Sequence, residues 1–69
     1  MKVIKQDRNV RLVQTIGRYM EYRYEVQEIY FYFERWDDES PTAAWSMKCY
    51  SHDLERAEEM YETHRRAQV

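Results

Sequence analysis

The side chains best suited to chemistry in this sequence fall in one short stretch: Cys49, Ser51, His52 and Asp53. A nucleophile needs a base within hydrogen-bond reach and a third group to orient that base. Ser51, His52 and Asp53 are consecutive, and adjacent residues on a helix point in different directions. They read better as a helix start, with Ser51 as the cap and Asp53 and Glu55 in the first turn. Cys49 with His52 could form a thiolate–imidazole pair, but a buried structural cysteine facing the helix accounts for the same residue. Asp37-Asp38-Glu39 gathers the hard oxygens a divalent cation needs. It lacks the spaced acids and central glycine of a calcium loop, so it reads as a solvated acidic turn. Two His and one Cys do not supply a zinc quartet, and a single glycine excludes a glycine-rich phosphate loop. The expectation is a chain with no catalytic set, no metal site and no cofactor.

Aromatic and basic residues form the other candidate constellation. Tyr19, Arg23, Tyr30 and Tyr32, with Arg11 and Arg18, could stack bases and neutralise phosphate from a sheet. The overall charge of −2 and the interleaved Glu21, Glu25 and Glu34 oppose that use. Tyr, Trp, Arg and Met are also the residues that protein interfaces favour. Protein binding is therefore the favoured reading, with Arg23, Tyr30, Tyr32, Trp36, Asp37 and Asp38 as the contact residues. A homodimer is one form such contact could take, and an accessory or inhibitor protein, of viral or mobile-element origin for example, is another. Nucleic-acid binding through strand-borne Tyr and Arg is the alternative.

Composition sets the frame for both readings. The chain has 69 residues, enough for one small domain with a marginal core. Leu, Ile, Val and Phe together supply 12 of them, a share low enough to raise disorder were the net charge high. Seven Tyr, two Trp and four Met compensate, since an aromatic ring can bury ~150–250 Å². The lone Cys49 cannot form an internal disulfide, and neither an apolar export segment nor a membrane span is read from the sequence. A cytoplasmic, reducing setting is expected. Charge is polarised: residues 1–24 carry six bases and two acids, residues 25–69 five bases and eleven acids.

The elements that must position these residues follow from periodicity. Lys2–Gln6 and Val10–Ile16 read as strands joined by a tight connection at 7–9. Gly17 is expected to take a backbone conformation other residues adopt only at a cost. Residues 19–27 alternate with period two, placing Met20, Tyr22, Tyr24 and Val26 on one face and Arg23, Glu25 and Gln27 on the other. Continued to Trp36, the strand would run about 60 Å at ~3.3 Å per residue, too long for this domain. A break is expected near Gln27-Glu28. The segment 37–42 is a loop, and 43–50 a strand with Ala43, Trp45, Met47 and Cys49 facing inward. The helix, about 52–67, carries Leu54, Ala57, Tyr61 and His64 in one stripe. The expected fold is a single α+β domain over 1–69. A small antiparallel sheet of three to four strands, about 2–50, carries one C-terminal helix on one face.

Overall fold

A computed structural model describes residues 1–67. Four strands precede one helix: β1 (Lys2–Asp7), β2 (Val10–Ile16), β3 (Tyr22–Tyr32), β4 (Thr42–Ser51) and α1 (Leu54–Ala67). The strands form one antiparallel sheet in the order β1-β2-β3-β4, and α1 packs across β2, β3 and β4. The small α+β architecture read from the sequence is the one observed.

The core forms where the helix stripe meets the sheet. Val10, Leu12, Val26, Ala57 and Tyr61 are buried together, with Ile4, Tyr24, Cys49 and Met60 packed around them. The register explains this set: Leu12 lies opposite Val26, and Val26 opposite Cys49, so all three share the helix-bearing face. Their neighbours Arg11, Val13, Arg23, Glu25 and Gln27 necessarily point to the opposite, helix-free face.

Several local expectations are corrected. β3 runs unbroken through Gln27-Glu28 and is shorter than the alternating sequence implies: residues 17–21 form a turn and Phe33–Trp36 belong to the following loop. The irregularity near Gln27 lies in β4. Val26 pairs with Cys49 and Gln27 with Met47, which leaves Lys48 as an extra residue. That bulge flips the pattern, so Cys49 faces the helix while Trp45 and Met47 face away from it. Gly17 has no positive φ; Arg8 and Met20 carry the left-handed conformations instead. What Gly17 provides is room, because a Cβ there would run into the Glu21 carboxylate. The helix cap also lies two residues later than expected, at Asp53 instead of Ser51. Asp53 Oδ1 accepts from the Glu55 amide at 3.0 Å, while Ser51 ends β4 and accepts from the Asp53 amide at 3.0 Å.

Candidate functional site

β3 and β4 reach past the rest of the sheet. The last β2–β3 pair is Val10 with Glu28, whereas β3 and β4 stay paired out to Tyr32 and Thr42. The Ile29 amide still donates to the Asn9 carbonyl at 2.8 Å; beyond it the molecule is a two-stranded arm, and its principal extents of 43 × 31 × 15 Å reflect that shape. Both faces of the arm are aromatic. Tyr30 and Tyr32 lie on the side that bears α1, with ring centroids 5.8 Å apart; Phe31 and Trp45 lie on the other. Tyr30, Phe31, Tyr32 and Phe33 are all exposed, and Trp36 is 97% exposed. These side chains stay uncovered because, among the described residues, no third strand or helix packs on the arm.

The arm ends in a closed turn. The Arg35 amide donates to Asp38 Oδ2 at 2.9 Å, and the Asp38 amide donates to the Arg35 carbonyl at 3.1 Å. This reciprocal pair holds Trp36 and Asp37 outward. Asp38, half-buried, has a turn-forming role that the sequence did not disclose.

Arg23 is not part of this cluster. It sits near the opposite end of β3, on the helix-free face, inside a line of polar side chains. Arg11 Nε donates to Gln27 Oε1 at 2.7 Å, Gln27 Nε2 donates to Glu25 Oε1 at 3.0 Å, and Arg23 Nη2 donates to Glu25 Oε2 at 2.6 Å. The Arg11 guanidinium lies 4.1 Å from the Trp45 ring centroid, and that of Arg23 lies 4.8 Å from that of Tyr50. Glu25 and Gln27 are buried under this lattice, and Val13 is fully covered. Bonding to Glu25 raises the Arg23 pKa above its ordinary value. Sequence reasoning assigned Glu25 and Gln27 to a polar face but missed their burial. The available signal was the i, i+2 spacing of Arg23, Glu25 and Gln27 on one strand face.

The thiol has a different neighbour from the one considered. Cys49 Sγ lies 3.7 Å from His64 Nε2, and His64 Nδ1 lies 3.6 Å from Glu28 Oε1. His52 instead places Nδ1 3.1 Å from the Tyr22 carbonyl, with its ring edge-on to Tyr50. Burial, and secondarily the Glu28 carboxylate, push the Cys49 thiol above its ordinary pKa. The order thiol, imidazole, carboxylate resembles a nucleophile line, but the raised thiol pKa disfavours the thiolate, which is the reactive form.

Along the flank of α1 nearest β1, Glu58 pairs with Lys5 and Glu62 with Arg65, while Arg65 also reaches Asp7. The charge polarity of the sequence is thus partly cancelled across the β1–α1 contact. Among the described residues no group of three or more His, Cys, Asp or Glu side chains is arranged to hold a metal ion, and no helix is long and apolar enough to cross a membrane. No protein-family model matches the chain, and neither a curated protein nor a solved structure matches it either.

Proposed function

We propose that this protein is a non-catalytic binding module that acts by protein–protein contact through the β3–β4 arm. The observation that carries this reading is the arm itself: Tyr30, Phe31, Tyr32, Phe33 and Trp36 exposed together on one protruding hairpin. Exposed aromatic groups clustered this way are the anchors that interfaces use, giving large contact area at low entropy cost. Asp37 at the tip adds a rim charge, which steers encounter more than it adds affinity. The residues that act are therefore Tyr30, Tyr32, Trp36 and Asp37, with Asp38 shaping the turn. Arg23 belongs to the polar lattice of the sheet. An accessory or inhibitory role in a reducing cytoplasm suits a small chain with one thiol.

Nucleic-acid binding draws less support, because Arg11 and Arg23 are committed to Gln27, Glu25 and aromatic rings within the fold. The test is retention of partner protein on immobilised wild-type chain, compared with Tyr32→Ala and Trp36→Ala, after nuclease treatment. Each substitution should weaken the complex by more than ~1 kcal/mol, or ~5-fold in Kd, with the thermal midpoint unchanged. Equal retention by all three proteins, or loss of the complex with nuclease, would reject the reading.

A further inference from the structure

The two edges of the sheet differ in how much of each is left open to pairing. β1 is a guarded edge: it carries Lys2 and Lys5, and a bulge lies between Val3 and Lys5. Lysines and bulges are the usual means of stopping an edge from pairing. β4 is the other edge, ten residues long. Its far end carries Lys48 and a bulge of its own, but the segment Thr42-Ala43-Ala44-Trp45-Ser46-Met47 has no charge, no proline and no bulge. Among the described residues no strand lies beside its outer backbone donors and acceptors.

We infer that β4 pairs antiparallel with β4 of a second copy, joining two sheets into one of eight strands with both helices on the same side. The inference rests on reading the arm as a contact surface and names what its edge contacts. A two-fold axis normal to the sheet gives this arrangement and makes the same patch complementary to itself. Two further observations favour a second copy over a different protein, and a third shows surface left for a partner to cover. First, the segment 42–47 carries no charge, so self-pairing meets no like-charge repulsion. Second, antiparallel pairing centred on Ala44 or Trp45 sets Lys48 against residues 40–42 of the other copy. There the loop bearing Asp37, Asp38 and Glu39 rejoins the strand, so the one base of the edge meets the acidic end of its partner. Third, the surface is too large for a compact monomer. A globular chain of 8.7 kDa exposes about 4,700 Å², whereas this one exposes 5450 Å². The excess approaches the ~800 Å² that each partner buries in a standard interface. The radius of gyration, 13.8 Å against about 11 Å for a compact chain of this length, points the same way.

The experiment is sedimentation velocity on the full chain at tens of micromolar. Three samples are compared: wild type, Ala44→Lys, and an equimolar mixture of Ala44→Lys with Ala44→Glu. Lysine suits a β edge, and circular dichroism of each variant establishes folding. Wild type should sediment at twice the chain mass. Each variant alone should be monomeric or dimerise at least ~10-fold more weakly, because like charges meet across the axis, and the mixture should recover the dimer. A monomeric wild type overturns the inference, while the arm as a docking surface then stands or falls on the Tyr32 and Trp36 retention assay alone. A wild-type dimer undisturbed by Ala44→Lys and Ala44→Glu, or variants that lose the dimer without recovering it on mixing, likewise overturns pairing through β4.

Discussion

At Cys49 the environment decides chemistry that residue type leaves open. A cysteine, a histidine and a carboxylate in line invite a nucleophilic reading. The thiol here is half-buried, and its pKa is raised by desolvation before any other cause. Thiolate is the reactive species, so a raised pKa lowers reactivity at any given neutral pH and moves the onset of reaction to higher pH. Alkylation by iodoacetamide between pH 7 and pH 8 should therefore run several-fold slower in the folded protein than in urea. A folded-state rate equal to or above the unfolded one would count against this effect of burial and in favour of a nucleophilic role for Cys49. Sequence proximity suggested His52 as the neighbour. His64 takes that place because it lies on the inward stripe of a helix that crosses β4, a relation fixed only when sheet and helix pack.

At the scale of elements, junctions were harder to read than the elements themselves. The helix was legible from its stripe, and Ala57 and Tyr61 are buried as that stripe requires. Its cap was misplaced because Ser51 and Asp53 are both good capping residues and periodicity does not choose between them. Pairing does: Ser51 still bonds opposite Tyr24, so the strand extends to it and the cap falls to Asp53. Asp53→Ala should cost about 1 kcal/mol by urea unfolding. Ser51→Ala should cost less, since its oxygen accepts from one amide outside the helix; a larger loss for Ser51→Ala would reverse the assignment. The bulge at Lys48 was illegible for a related reason. No glycine or proline marks it, and it exists only as a mismatch between two strands.

The whole molecule is marginal by construction. Among the described residues its buried hydrophobic cluster comprises five, and a chain of this length commonly has only a few kcal/mol of net stability. Leu12 is fully buried against Val26 and the helix, so Leu12→Ala should remove about 2–5 kcal/mol. That loss would leave much of the population unfolded at 37 °C, visible as a collapsed or absent thermal transition. A variant still melting within ~5 °C of wild type would mean that stability comes from elsewhere, with the pairing proposed for the β4 edge the first place to look. The ion pairs joining β1 to α1 are half-exposed and contribute little beside that core. By itself, the sequence determined what local periodicity can encode: an α+β domain, strands of alternating polarity, a C-terminal amphipathic helix, and an excess of aromatic groups over aliphatic ones. Tertiary structure alone decided which aromatics those were. Tyr24 and Tyr61 pack with the core while Tyr30 and Tyr32, on the same sheet face as Tyr24, remain exposed. Alternation assigns a side chain to a face, but only the position and length of the covering helix determine where along that face burial ends.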